Sequence, residues 1–294
     1  MKKRYLICMA VLLICLLAAV VLYKKWDRLF PEDKWEITQY GPRDINSSFY
    51  TIYNPSRGLI LIDGGWKEDA QYVRDIINLH GGKVDVWIIS HAHQDHVGAF
   101  NEIYPDPQGI KIGKVYTVDM ASPQECLDVA PWDSVDAYRE FLDLKVKNLE
   151  YVSAGDELEL FDLKFTIYNA YDDSVAVLSR DYLNDGSMMF EVEGKETSFL
   201  FCSDVGVAMS EYLLGKWGED LAADYLQMGH HGYGGLEDDF YQKVNPRISF
   251  FDAPDWLVRD TTGRYDTPEH VRLMEGMGSE VRSFCSAPNG IVLE

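Results

Sequence analysis

Three histidines and an aspartate fall within six positions of this chain, His91, His93, Asp95 and His96, inside the run Ser90-His91-Ala92-His93-Gln94-Asp95-His96. The chain has only seven histidines, so a polar loop that gathers three of them by accident is a poor account of the run. Residues 84–90 read as a buried strand that feeds straight into it. While the chain stays extended, side chains two apart share a face, which brings His91 and His93 to one point. Two neutral imidazoles at one point suit a zinc-type ion, which takes nitrogen at about 2.0–2.1 Å. Asp95 and His96 fall where the chain turns into a helix expected over 97–103, placed to face a second, adjacent ion. Two further strand ends carry donor groups. Residues 199–202 are apolar and end at Ser203-Asp204, and residues 225–228 end at Gly229-His230-His231-Gly232. Read from its residues alone, Asp204 is as well explained as a strand cap, and Asp63, before Gly64-Gly65, as an ordinary turn residue.

These groups need elements to hold them, and the chain alternates strand and helix signals to do so. Strands are expected at 36–39, 49–53, 59–62, 84–90, 114–118, 157–160, 164–168, 187–192, 198–202, 225–228 and 247–251. Helices are expected at 67–80, 97–103, 132–145, 207–214, 237–244 and 267–277, from apolar spacing of three and four. Continuous apolar strands such as Leu59-Ile60-Leu61-Ile62 imply sheets covered on both faces. No linker breaks the run from Trp35 to Glu294, so one sandwich-like α/β domain is expected. His80 is placed to cap its helix at the C-terminus, and His270, in the last helix, reads as structural or surface.

His91-Ala92-His93-Gln94-Asp95-His96 matches the H-x-H-x-D-H signature of the metallo-β-lactamase superfamily, which the chain resembles over about residues 35–294. Leu61-Ile62-Asp63-Gly64-Gly65 is similar to that superfamily's strand-ending aspartate motif. The resemblance implies an αββα sandwich with two divalent metal ions at one edge of the paired sheets, most often Zn2+, in some branches Mn2+ or iron. It implies His91, His93, Asp95, His96, Asp204 and His230 as ligands, with Asp204 between the ions. His230 is favoured for the last place; His231 is its competitor or a catalytic, substrate-facing neighbour. Asp95 would also help to orient the attacking water, and Asp63 would accept a hydrogen bond from behind a ligand and fix its imidazole.

The Gly229-His230-His231-Gly232 form, with Asn184-Asp185-Gly186-Ser187 before a strand and Arg264-Tyr265-Asp266-Thr267-Pro268-Glu269 before the last helix, is similar to the corresponding domain of bacterial DNA-uptake competence channels. Cell-wall phosphorylcholine esterases have a related design. Asn184, Tyr233 and Asp266 are expected in the substrate pocket. Tyr233 stands where the subgroup often has serine, and Asp266 where it often has histidine. No histidine occurs between His96 and His230, so a third-histidine ligand is missing. The His91/His93 site is then completed by Asp204 and water, or by a group near Asn184.

The net charge of −21 is uneven, because residues 1–28 carry six basic side chains against Asp27. So acidic a body repels phosphate backbones, which makes nucleic acid an unfavourable partner without closing it off, since a metal pair attracts a single phosphate locally. Residues 5–23 contain no charge and no proline, long enough for a membrane-spanning helix and without the small-residue cleavage site of a signal peptide. Residues 1–28 are read as an uncleaved membrane anchor with basic flanks, residues 29–294 as the hydrolase domain, and the domain is placed outside the cytoplasmic membrane. Cys126, Cys202 and Cys285 lie beyond the anchor and are read as buried single thiols. The expected activity is hydrolysis by a metal-bound hydroxide of a phosphodiester or other phosphate-containing ester, with a small-molecule or cell-envelope substrate. The alternatives are a β-lactam, lactone or thioester hydrolase, a single-metal binding module without turnover, and a DNA-handling nuclease; the oligomeric state is left open.

Overall fold

A computed structural model describes residues 34–41, 44–283 and 288–294. The expected membrane anchor and Cys285 lie outside the described residues. Among the described residues no helix is long and apolar enough to cross a membrane, and Cys126 and Cys202 are buried and free. Trp35 to Glu294 forms one compact unit.

Its frame is a pair of seven-stranded sheets. The first runs in the order β14 (Asn289–Leu293), β1 (Trp35–Gln39), β2 (Phe49–Asn54), β3 (Gly58–Asp63), β4 (Lys83–Ile88), β5 (Lys111–Val118) and β6 (Leu149–Val152). The second runs β13 (Glu280–Ser283), β12 (Ile248–Phe251), β11 (Tyr225–Gln227), β10 (Ser198–Phe201), β9 (Met189–Glu193), β8 (Leu163–Asn169) and β7 (Glu157–Leu160). Each sheet joins an antiparallel half to a parallel half. Pairing is antiparallel from β14 to β3 and parallel from β3 to β6. It is antiparallel from β7 to β10 and parallel from β10 to β13.

The alternation of side chains explains why the central strands read as unbroken apolar runs. On β10, Phe199 and Phe201 enter the core between the sheets, where Tyr50 meets Phe201 edge-on at 5.2 Å. Leu200, between them, packs in a second core with Leu213, Phe240 and Met274, which belong to the helices Ser210–Trp217, Asp238–Val244 and Thr267–Met277. Helices Ala70–Leu79, Gln94–Ile103 and Asp136–Asp143 contribute Val73, Phe100 and Phe141 to the first core.

The structure departs from the expected elements where the site is built. The helix expected over 132–145 begins only at Asp136, so Asp133 stays in the preceding loop. The helix expected from 97 begins at Gln94, with His93 as its N-cap, so Asp95 and His96 sit in its first turn. A short helix, Pro123–Val129, was not expected despite its signals: Ser122 caps it, Pro123 opens it and Glu125 closes the capping box. Strands β6, β13 and β14 were also unforeseen; β6 and β13 close sheet edges, and Asn289–Leu293 returns from the chain's end to pair with β1.

Candidate metal centre

The donor groups converge from the carboxyl ends of β3, β4, β10 and β11. β4 delivers Ser90 and His91, whose ring is fully buried. Ser90 Oγ lies 3.1 Å from His91 Nδ1, which leaves His91 Nε2 facing inward, 3.0 Å from His93 Nδ1. Asp204, three residues beyond the end of β10, brings Oδ2 to 3.9 Å from His91 Nε2 and Oδ1 to 3.2 Å from His96 Nε2. On the other side, His231 Nε2 lies 3.1 Å from Asp95 Oδ2 and 3.3 Å from Asp204 Oδ2. Two sets of three donors able to hold an ion result, His91/His96/Asp204 and Asp95/His96/His231, each within 4.8 Å of one another and all buried.

The second of those sets alters the expected ligand assignment. The resemblance favours His230 for the last ligand with His231 as its competitor; the candidate triad among the described residues contains His231. Both residues adopt left-handed backbone, φ 46° and 58°, which turns the two rings to different sides. His231 is 1% exposed and points at both carboxylates, whereas His230 is 23% exposed in its side chain, 3.9 Å from Asp204, with its ring tilted against Tyr233 at 4.6 Å. Gly232 makes the turn possible: its φ is 91°, and an added Cβ would lie 2.4 Å from the Phe251 ring. His270 Nδ1 lies 2.9 Å from the Gly232 carbonyl, so its role is to hold this turn. His80 does cap its helix, with Nδ1 2.8 Å from Ile76 O.

Behind the donors stand carboxylates that set each ring's orientation. Asp63, in left-handed backbone at φ 54°, accepts from Ser90 N and Ser90 Oγ, both at 2.8 Å, and lies 2.8 Å from His96 Nδ1. His96 is thereby held with Nε2 toward Asp204. Asp133 does the same for His93, with its two oxygens 3.0 and 3.1 Å from Nε2. Sequence reasoning missed Asp133 because the helical spacing after Trp132 masked the loop. Asn46 is a second omission, donating to Asp95 Oδ2 at 2.7 Å from a loop without a motif.

Charge in the cluster is balanced by opposed effects. Burial disfavours a charged His96, but Asp204 and Asp63 outweigh it and hold its pKa well above the usual range. His231 is raised likewise, with Asp204 and Asp95 overcoming burial. Burial raises Asp204 and Asp95, yet the His231 and His96 imidazoles pull both below the ordinary carboxylate range. His91 is held well below its normal range by burial and by His96, and burial lowers His230. Two buried carboxylates thus demand positive charge among them. Among the described residues, His96 Nε2, Asp204 Oδ1 and His231 Nε2 are buried without a hydrogen-bond partner, an expensive arrangement that bound cations relieve. The donor set fits divalent metal ions: His91, His96 and Asp204 could hold one and Asp95, His96 and His231 another, with His93 Nδ1 3.0 Å from His91 Nε2 beside the first.

Above the cluster opens a cleft of about 310 Å³ lined by residues including Trp66, His93, Asp95, Asp133, Asn184, His230 and Tyr233. Asn184 and Tyr233 line it as expected. Asp266 does not: it is exposed and accepts from Gly234 N at 2.9 Å, so it tethers the loop beyond the histidine pair.

Comparison with known proteins agrees with this architecture. Residues 40–123 match the family model of the metallo-beta-lactamase superfamily. An RNase, aCSPSF2 of Saccharolobus solfataricus, is 22% identical over 215 residues, 69% of this chain and 41% of the relative; the chain thus spans about two fifths of that protein's length. Among solved structures, the metallo-beta-lactamase fold protein YhfI of Bacillus subtilis superposes with a TM-score of 0.56 at 11% identity, covering 89% of this chain and 100% of YhfI. CmlA, a diiron beta-hydroxylase from Streptomyces venezuelae, gives 0.53 at 11% identity, over 88% of this chain and 54% of its own. A diphosphatase of the PhnP family gives 0.51 at 13% identity, over 88% and 98%. The two-sheet domain has the metallo-β-lactamase fold.

Proposed function

We propose that this metallo-β-lactamase-fold chain is a two-metal hydrolase acting on a small phosphodiester or related phosphate ester. The observation that carries the reading is a set of buried ligand atoms, His96 Nε2, Asp204 Oδ1 and His231 Nε2, that have no hydrogen-bond partner among the described residues and gather beneath an open cleft. When bound, two divalent ions would supply Lewis acidity and activate water near neutral pH. The chain's own residues do the rest. Asp204 reaches toward both ligand groups. Asp63 and Asp133 keep His96 and His93 presenting Nε2 and Nδ1, and Trp66 and Tyr233 wall the cleft. His230, whose pKa burial lowers, lines the cleft beside the ligands, where its imidazole is placed to contact the substrate.

Substrate class follows from the lining and from likeness. Among the described residues the cleft's lining includes neither lysine nor arginine, and the chain is strongly acidic, a combination that favours a small substrate with one phosphate over a nucleic-acid polymer. The PhnP-family diphosphatase with a similar fold and the motif resemblance to phosphorylcholine esterases support phosphorus chemistry. The RNase relative supports a nuclease as the competing reading, which predicts turnover that falls steeply with salt. Residues 5–23 tether the domain to the membrane in this proposal, with the site on the outer side; a topology reporter fused after Glu294 tests that part.

The decisive experiment loads the protein with Zn2+ or Mn2+, measures metal content, and screens bis(p-nitrophenyl) phosphate, phosphocholine esters, single-stranded DNA, RNA and β-lactams. Two ions per chain, with diester turnover lost in Asp204→Ala, is the expected result. Metal-loaded protein that turns over only β-lactams, or nothing, overturns it.

A further inference from the structure

The first ion's ligand set is short by one histidine, and the structure offers a replacement. We infer that Asn184, through its side-chain carbonyl oxygen, is a ligand of the ion held by His91 and His93; the inference rests on the two-metal reading above.

Asn184 belongs to the turn of helix Tyr182–Asp185 that precedes β9. The segment is stitched to both ligand-bearing strand ends. Met188 N donates to Ser90 O at 2.9 Å, and Asp204 N donates to Ser187 Oγ at 3.2 Å. Asn184 is 7% exposed, yet it lines the same cleft as His93, Asp133 and His230.

Its amide orientation is fixed by chemistry. Asp181 Oδ2, an acceptor, lies 2.9 Å from Nδ2, and Asp181 Oδ1 takes the backbone N–H of Asn184 at 3.3 Å. The NH2 end must therefore meet the carboxylate, and the carbonyl end must point away from it. That oxygen, Oδ1, is buried and has no hydrogen-bond partner among the described residues. A buried acceptor left unsatisfied is unfavourable, and in a cleft also lined by His93, His230 and Asp133 an ion is a partner that serves it. Substituting an amide oxygen for imidazole makes the first site harder than the second, and harder donors favour Mn2+ relative to Zn2+.

The test is metal binding rather than turnover. Mn2+ titration of the metal-free protein, followed calorimetrically and by electron paramagnetic resonance, should show two ions in wild type with the signal of a coupled pair. Asn184→Ala should keep one tight ion, weaken the other at least about tenfold, and convert the spectrum to that of an isolated ion. Asn184→His should restore two ions and shift selectivity toward Zn2+; it guards against misreading an unstable Ala variant, as does a matched thermal melt. Two ions bound to Asn184→Ala at wild-type affinity overturn the inference, and a raised KM alongside makes Asn184 a substrate contact instead. Fewer than two ions in wild type itself defeats the two-metal reading, and this one with it.

Discussion

At the scale of single residues, the arrangement separates groups that hold an ion from groups that hold the holders. Asp63 is the clearest of the second kind: it is 1% exposed, sits in a backbone conformation unfavourable to a non-glycine residue, and is within 2.8 Å of His96 Nδ1. Asp63→Ala leaves the His96 donor set in sequence but frees its ring, and should weaken metal binding by about 10–100-fold, measured by competition with a chromophoric chelator. Unchanged affinity in a folded Asp63→Ala would make Asp63 a turn residue only. Asp133→Ala should act through His93 in the same direction but more weakly, because its side chain is 16% exposed and water can replace it.

At the scale of elements, the first turn of helix Gln94–Ile103 depends on how closely that helix approaches the loop after β3. Gly98 marks the approach: a Cβ there would meet Lys67 N at 2.5 Å and the Trp66 carbonyl carbon at 2.8 Å, and Ala99 N donates to Gly65 O at 3.1 Å. Both neighbours are backbone and cannot step aside. Gly98→Ala should cost about 1–3 kcal/mol of stability and, by pushing the helix outward, lower metal affinity at the Asp95/His96 site more than at the His91/His93 site. A melt equal to wild type would show that the helix shifts without penalty. Local signals were enough to read the central elements. β3, β4 and β10 were legible because both of their faces are covered and their central residues are mostly apolar, and the H-x-H-x-D-H run announced itself by density. What stayed illegible depends on backbone conformation or on contacts distant in sequence. Nothing in Gly-His-His-Gly tells which ring a pair of left-handed residues turns inward, so the choice between His230 and His231 was not legible. Asp133 lies 40 positions from His93, in a loop whose apolar spacing imitates a helix, and β14 pairs with β1 across almost the whole chain.

At the scale of the whole molecule, the two sheets are tied beneath the site by a buried polar bridge. Gln39 Nε2 donates to Asp252 Oδ1 at 2.7 Å and to Phe251 O at 3.0 Å, and Tyr50 OH donates to the same Asp252 oxygen at 2.6 Å. Asn289 Nδ2 donates to Gln39 Oε1 at 2.7 Å, so β1, β2 and β14 of one sheet meet the end of β12 of the other. Burial dominates Asp252 and pushes its pKa up to about 6, against the opposing pull of His231 and of the Tyr50 and Gln39 hydrogen bonds. A carboxyl whose folded pKa is raised binds its proton more tightly in the folded state than in the unfolded one. Its contribution is therefore full below the unfolded value of 3.8 and is lost as pH climbs toward the folded value. At about 1.4 kcal/mol per unit, the shift of roughly two units corresponds to about 3 kcal/mol. Asp252→Asn keeps an oxygen for both donors and cannot ionise. In metal-free protein, the melting temperature of Asp252→Asn relative to wild type should rise between about pH 4 and pH 6 and level off above it, the other titrating groups cancelling in the difference. Melting curves that stay parallel across that window would place the Asp252 proton outside the folding equilibrium, and the bridge between the sheets would then be held by an ionised carboxylate throughout.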